Sequence, residues 1–461
     1  MPSRLPPILI LMCDQQRADA MSCAGTPLLQ TPNMDRLAAE GVRFANACTV
    51  SPVCMPARAS FVSGLYPHNH GMWRNRGELP ADDETFFHHL QRKGYHVAYV
   101  GKSHFYDHSG IHVREREPWM KRRGIDTVFE TTGPWATCTG QSFVTDHWET
   151  QGLWQVYKGD YEKRRRTGSW DSTWPSPLPE DEVLDAHIGR KAVEVVDGYG
   201  EDKPLCLFVG FGGPHEPWDP PGRFAELYDP ADCPTGIPPE PLPDTLPDHA
   251  RERFRAGRVD EVDEEQARKI HALYYGKVAL LDEWFGQILK AYERKGWLGE
   301  ALVVHWSDHG EMLGDHGRLH KSVFFESALN IVTTVRWPGH TEAGAVSDAL
   351  VETIDVFPTL LEAVGAEPSE RCLGRSLWPG LRDPAAAIRD DALSEIRDTT
   401  MLRTDRWKYA CDAEGRGYLL FDLESDPQET NNLVGTPDAE PIEREMRERL
   451  LRRILLTQVR Q

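Results

Sequence analysis

The sequence predicts an α/β fold: a large, mostly parallel sheet sandwiched by helices, followed by a small C-terminal α+β subdomain carrying a short antiparallel sheet. Three observations carry this expectation. Apolar runs along the chain are continuous and not alternating, which marks strands buried on both faces. Each run ends in a polar segment punctuated by Gly or Pro. Stretches with helical periodicity lie between and after them.

Four runs behave alike. Ile8–Met12 leads into Cys13-Asp14-Gln15, and His96–Val100 leads into Gly101-Lys102-Ser103-His104. Leu205–Val209 passes through Gly210–Gly213 into Pro214-His215-Glu216-Pro217, and Leu302–Trp306 leads into Ser307-Asp308-His309-Gly310. Open α/β sheets bind ligands at the carboxyl ends of their strands, so segments this far apart in sequence can meet at one site.

Between the runs, Ile270, Tyr274, Val278, Leu281, Phe285 and Ile288 fall at helical spacing, with Gly296 as a stop. A shorter helix is expected across Thr353–Val364. Residues 148–180 are aromatic (Trp148, Trp154, Tyr157, Trp170, Trp174), basic (Lys163 to Arg166) and Pro-rich. They read as an excursion over one face, either a substrate rim or a solvated insertion. Residues 366–392 lack periodicity and hold Gly374, Pro379, Gly380 and Pro384, so the expected division is a catalytic domain over 1–385 and a subdomain over 386–461. In the latter, Met401–Arg403, Trp407–Tyr409 and Tyr418–Asp422 read as short antiparallel strands with a turn at Glu414-Gly415. A final amphipathic helix near 439–457 turns Ile442, Met446, Leu450, Ile454 and Leu455 inward. No internal repeat is evident.

Composition narrows the partners. The 461 residues carry 40% hydrophobic and 27% charged side chains, ordinary for a globular protein, with a formal net charge of −20. That balance argues against nucleic acid or an anionic membrane as a partner, and against long polyanions, but a pocket can still be locally basic. It leans toward small esters and is compatible with a homo-oligomer. The run Ile8–Met12 is shorter than the roughly 7–15-residue core of a secretion signal, and no stretch reaches the ~20 apolar residues of a membrane span. The nine cysteines show no CxxC pairing, hence neither a disulfide framework nor a zinc knuckle. Cys13 and Cys206 lie in apolar runs and are expected to be buried. A reducing, cytoplasmic location is the expectation.

The sharpest feature is Cys54-Met55-Pro56-Ala57-Arg58, a thiol close to a fixed cation with a proline between them. With its flanks, Ser51-Pro52-Val53 and Ala59-Ser60, it resembles the signature of the formylglycine-dependent sulfatases. The resemblance covers residues 8–330, with weaker matches at Ser347–Gly365 and Tyr418–Leu433. It implies an alkaline-phosphatase-like fold and oxidation of Cys54 to formylglycine by a formylglycine-generating enzyme. It further implies one divalent metal, Ca²⁺ foremost and Mn²⁺ or Mg²⁺ as alternatives, held by Asp14, Gln15, residue 54, Asp308 and His309. Carboxylates with an amide oxygen suit such hard cations. Many sulfatases have Asp-Asp where this chain has Asp14-Gln15, a change that drops one charge. Asp-Gln is similar to the choline sulfatase, arylsulfatase and phosphonate monoester hydrolase branches.

Lys102 and His104, two apart after a strand, would share one face if extended. They match the family's Lys-x-His, where phosphonate monoester hydrolases carry hydroxyl residues, and so favour a sulfate ester. His215 and Lys321 match positions that contact sulfate and assist the leaving group. The resemblance thus implies in-line attack on sulfur from residue 54, with the metal, Arg58, Lys102 and Lys321 holding sulfate oxygens. His215 or Lys321 protonates the leaving alcohol, and His104 takes a proton as sulfate is expelled. Asn75 reaches toward the site. His68, His70, His316 and His320 are read as structural. The expected reaction is hydrolysis of a small sulfate monoester, with phosphonate monoester or phosphodiester hydrolysis as the alternative. The alcohol (aryl, sugar or choline) stays open; the aromatics at 148–174 and Trp218 are candidates to stack on it.

Overall fold

The computed structural model describes residues 5–168, 172–239, 242, 246–255 and 262–458; Trp170 lies outside them. The main sheet contains β1 (Ile8–Asp14), β2 (Val42–Cys48), β3 (His96–Lys102), β4 (Thr127–Thr131), β5 (Leu205–Pro214), β6 (Leu302–Ser307), β7 (Thr333–Arg336) and β8 (Ala345–Glu352). Their order is β4-β3-β5-β1-β6-β7-β2-β8. Only β7 runs antiparallel to its neighbours. The four expected strands are therefore β3, β5, β1 and β6, adjacent in space, and their carboxyl ends line one edge of the sheet.

Side-chain alternation explains why β1 reads as a continuous apolar run. Leu9, Leu11 and Cys13 face the layer of helices Leu184–Gly198 and Glu264–Arg294, while Ile8, Ile10 and Met12 face the opposite core. That second core includes helices Cys54–Ser63, Phe86–Arg92 and Val356–Ala363. Every residue of β1 is buried. Close strand packing just before Lys102 requires glycine: a Cβ at Gly101 would lie 2.0 Å from the Gly210 carbonyl oxygen.

The smaller sheet has order β12-β11-β10-β9, all antiparallel: β9 (Ala392–Ile396), β10 (Thr399–Arg403), β11 (Trp407–Asp412) and β12 (Gly417–Asp422). It shares a core with Val50, Tyr66, Phe325 and Ile354 of the larger body. Helix Glu440–Leu456 covers it through Met446 and Leu450, with Ile442 and Ile454 packed at the edge. Leu455 does not point inward as its spacing suggested; it is 60% exposed.

Within the described parts of 148–180 the aromatic side chains pack onto the body and form neither a rim nor a solvated insertion. Helices Phe143–Gln151 and Leu153–Thr167 bury Trp148, Trp154 and Tyr157, whose polar atoms bond to the carbonyls of Glu182, Thr137 and Pro134. Trp174 lies under Lys163 and Arg164. All nine cysteines are free, Cys13 and Cys206 buried among them. Among the described residues no helix is long and apolar enough to cross a membrane.

His271, on helix Glu264–Arg294, donates to the Ala267 carbonyl at 2.9 Å, and burial lowers its pKa to about 4. The unfolded chain, with an imidazole near its ordinary value, takes up the proton first. Stability attached to His271 is therefore full above that value and is lost as pH falls toward the folded one. The stability difference between wild type and His271→Gln should shrink by about 1.2 kcal/mol from about pH 7 to about pH 5.5. Urea titrations of both proteins at both pH values check this; a constant difference would contradict it.

Candidate active site

Cys54 opens a helix of ten residues, Cys54–Ser63, every one of them buried. Pro56 sits in the first turn, where no intrahelical donor is missed, and Gly64 (φ 71°) closes the helix with its N–H on Ser60. Asn75 accepts from the Met55 N–H at 3.0 Å, capping the helix instead of reaching the sulfur. Upstream, Ser51 donates to the Glu395 carbonyl of β9 at 2.7 Å. Burial raises the Cys54 pKa, but His309, Lys321, Lys102 and a hydrogen bond with His104 outweigh it and take the thiol well below its ordinary value.

Four residues along the helix, one turn on, Arg58 joins the two carboxylates that end β1 and follow β6. Its Nε donates to Asp308 Oδ2 and one terminal nitrogen donates to Asp14 Oδ2, both at 2.8 Å. The other donates to the Lys102 carbonyl at 2.7 Å. Arg58 is 1% exposed. The expectation that it holds sulfate oxygens is corrected here: these bonds turn it toward the carboxylates. Burial and Cys54 push Asp14 upward, yet Lys102, Arg58 and His215 bring it down to about 2.

The remaining acceptors face one another. Asp14 Oδ1 and Asp308 Oδ1 lie 3.9 and 3.8 Å from His309 Nε2, and Cys54 Sγ lies 3.1 Å from the same nitrogen. His309 Nδ1 donates to the Gly310 carbonyl at 3.0 Å, which directs Nε2 into the cluster. Burial lowers the His309 pKa, but Asp308 and Cys54 raise it to about 9. The cavity thus favours positive charge at that point, and a proton or a divalent ion are competing ways to supply it. Asp14, Cys54, Asp308 and His309 offer donor atoms all within 4.8 Å of one another. The two carboxylates suit a hard divalent ion, and an oxygen in place of the Cys54 sulfur would complete such a set better than the thiol does.

Gln15 belongs with them for a reason not visible in the sequence. Its backbone is left-handed (φ 73°), and its amide nitrogen donates to Glu216 Oε2 at 2.9 Å and to Glu311. Two carboxylates on the nitrogen fix the amide so that its oxygen faces the site, where it meets Lys321. Glu216 and Glu311 are positioning residues that motif reading missed; each stands one residue beyond a flagged histidine or two.

Lys102 contacts Asp14, and His104 hydrogen-bonds the Cys54 sulfur. They converge by a turn and not by strand alternation: Lys102 ends β3, and His104 is left-handed (φ 53°). Burial and Lys102 lower His104 to about 3, leaving it a neutral base. Lys321 Nζ lies 2.7 Å from His215 Nε2, and His215 Nδ1 donates to the Glu216 carbonyl at 2.6 Å. Burial disfavours charge on Lys321, but Glu216, Cys54 and Asp14 raise its pKa.

The other flagged groups lie apart from the sulfur. Trp218 is fully buried and stacks on His320, so it presents no face to a substrate, against expectation. His316 stacks on Phe325, His68 bonds Glu395, and His70 bonds Ser60 on the Cys54 helix.

Comparison with known proteins follows this geometry. A family model described as Sulfatase matches residues 6–366, and one described as N-sulphoglucosamine sulphohydrolase, C-terminal, matches residues 314–455. The choline-sulfatase of Rhizobium meliloti (strain 1021) is 29% identical over 450 residues, spanning 94% of this chain and 83% of that protein. The multifunctional alkaline phosphatase superfamily protein PehA of Trinickia caryophylli is 28% identical over 481 residues, spanning 93% and 91%. The crystal structure of the phosphonate monoester hydrolase of Agrobacterium radiobacter aligns with TM-score 0.77 at 24% identity, covering 98% of this chain and 96% of that one. That likeness is one of fold, the alkaline-phosphatase-like architecture.

If Glu311 fixes the Gln15 amide, Glu311→Gln frees it to flip. Calcium affinity, read by isothermal titration and by the calcium-induced rise in Tm, should then fall about 10- to 100-fold. Affinity unchanged from wild type would remove Glu311 from this role.

Proposed function

The chain belongs to the sulfatase family, and from that premise we propose that it hydrolyses a small sulfate monoester to an alcohol and sulfate, using formylglycine made from Cys54. The observation that carries the reading is the convergence of Lys102, His104 and Lys321 on a buried Cys54 beside a carboxylate cluster. The hydrated aldehyde of formylglycine supplies one hydroxyl to attack sulfur and a second whose deprotonation restores the aldehyde and releases sulfate. A divalent ion held by Asp14, Gln15, Asp308 and His309 would supply positive charge to the nucleophile and the sulfate oxygens.

The chain's own groups have distinct tasks in this reading. Lys102 and Lys321 hold sulfate oxygens as they gain charge, in a site from which burial excludes most water. Neutral His104, already bonded to the side chain of residue 54, receives the proton in the release step. Lys321 and His215, 2.7 Å apart, form the pair that delivers a proton to the leaving oxygen. Arg58 bridges Asp14 and Asp308, holding both in place and helping to keep Asp14 ionised. A second reading, phosphonate monoester hydrolysis, is favoured by Asp14-Gln15. The Lys102–His104 pair weighs against it.

Protein co-produced with a formylglycine-generating enzyme should yield a residue-54 peptide of the mass expected when an aldehyde oxygen replaces the thiol. It should release 4-nitrophenol from the aryl sulfate at least about 100-fold more efficiently than from the matching phosphonate monoester. Lys102→Ala should lower kcat/KM for the sulfate about 10²–10³-fold. Cys54→Ser should lose steady-state turnover, because a serine ester has no second hydroxyl to expel sulfate. A preference for the phosphonate, or unchanged turnover by Cys54→Ser, would overturn the proposal.

A further inference from the structure

Beside Cys54 lies a cavity of about 500 Å³ that the chemistry above does not use. Its lining includes Val53, which immediately precedes Cys54, and Ser322, which immediately follows Lys321. The tip of the β9–β10 hairpin, Arg397-Asp398, and the start of β12, Tyr418-Leu419, also line it, so the smaller sheet contributes to the cavity. Its volume suits a ring-sized group.

The lining is basic. Arg74, Arg253, Arg318 and Arg397 face it, against Asp398 as the one acidic residue of the lining. In a chain of net charge −20 this is a local reversal of sign, and such clefts focus their field on anions. Two of the four are committed: Arg318 is buried and donates to the Phe254 carbonyl, and Arg253 pairs with Asp398 at 3.0 Å while lying 5.4 Å from the Tyr418 ring. Arg74 and Arg397 are exposed, and their guanidinium groups form no hydrogen bond or ion pair among the described residues. Arg397 also has a left-handed backbone (φ 47°) in the two-residue turn between β9 and β10. A long side chain at such a position carries a conformational cost that Gly or Asn would avoid.

Resting on the sulfatase reading, we infer that the alcohol of the ester occupies this cavity and carries a second anionic group, a carboxylate or a further sulfate, bound by Arg74 and Arg397. Guanidinium groups suit such oxyanions through paired, charge-assisted hydrogen bonds. A quaternary ammonium alcohol would meet like charge.

The test uses formylglycine-bearing enzyme and measures sulfate release from three esters: phenyl sulfate, a carboxylate-bearing phenyl sulfate and choline sulfate. A glucosamine disulfate serves as the second anionic probe and separates a carboxylate from a sulfate preference. The inference expects kcat/KM for at least one anionic ester to exceed that for phenyl sulfate about tenfold or more. Arg74→Ala and Arg397→Ala should each lower that anionic-to-neutral ratio about tenfold, mainly through KM, with Arg74→Lys retaining part of it. Phenyl or choline sulfate preferred over both anionic esters, or a ratio untouched by both substitutions, would overturn the inference while leaving the sulfatase reading in place. Absence of release from every ester would overturn both.

Discussion

One guanidinium holds the charge balance on which the site rests. The parallel pairing of β1 with β6 brings Asp14 and Asp308 to the same sheet edge, each with no exposed surface. Two buried carboxylates at that separation repel by several kcal/mol at an effective dielectric near 20. Arg58 lies between them, bonded to both at 2.8 Å, and turns repulsion into a bridge. Removing one partner of such a buried set typically costs about 3–5 kcal/mol, because the others stay buried without compensation. The spacing from Cys54 to Arg58 follows from this geometry. Four residues on a helix make one turn, so the nucleophile position and the bridging cation project from the same face.

With Asp14 and Asp308 pinned through Oδ2, their Oδ1 atoms lie near His309 Nε2, and Asp308 Oδ1 is itself oriented by the backbone N–H groups of Gln15 and His309 at 3.0 Å. These oriented carboxylate oxygens define where a cation belongs. Lys102 meets Asp14 and Lys321 meets Gln15 on the rim of that spot, both placed to hold an anion arriving above it. His104 is enclosed among these cations and stays neutral, as a proton acceptor must. The opposite ionisation states of Lys321 and His104 have different causes: Glu216 outweighs burial at the first, while burial, reinforced by Lys102, keeps the second neutral.

The sequence was most legible where one physical cause dominated. β1, β3, β5 and β6 are buried on both faces, so their apolar runs are unbroken and their polar ends stand out. β2 and β8 sit at the sheet's end and alternate buried with partly exposed residues, and β7 has only four residues, so none produced a comparable run. Spacing alone brought Lys102 and His104 together for a wrong reason, since the left-handed turn at His104 has no side-chain signature. Glu216 and Glu311 act on Gln15 through contacts 201 and 296 residues apart in sequence, and no local pattern encodes such pairs. Aromatics misled in the other direction. Trp148, Trp154 and Trp218 looked like a binding surface but are packing, because composition does not tell which face of an aromatic is already covered.

Net charge has a limited reach, and the smaller sheet shows why. A total of −20 describes the field far from the molecule, whereas a substrate meets the few charges lining its cavity. Those lining the cavity next to the Cys54 segment come from outside the metal-type cluster: Arg74 after the Cys54 helix, and Arg397 on β9–β10. β9 is tied to the nucleophile segment by its own backbone, Glu395 donating to the Val50 carbonyl at 2.9 Å and accepting from Ser51. Lys408, buried between Glu326 and Glu429, anchors β11 to the larger body. The hairpin lining the proposed alcohol site is therefore tied by backbone bonds to the segment that carries residue 54, the proposed nucleophile. Because it shares no side chain with the Asp14–Arg58–Asp308 bridge, hairpin residues such as Arg397 can vary without disturbing that bridge.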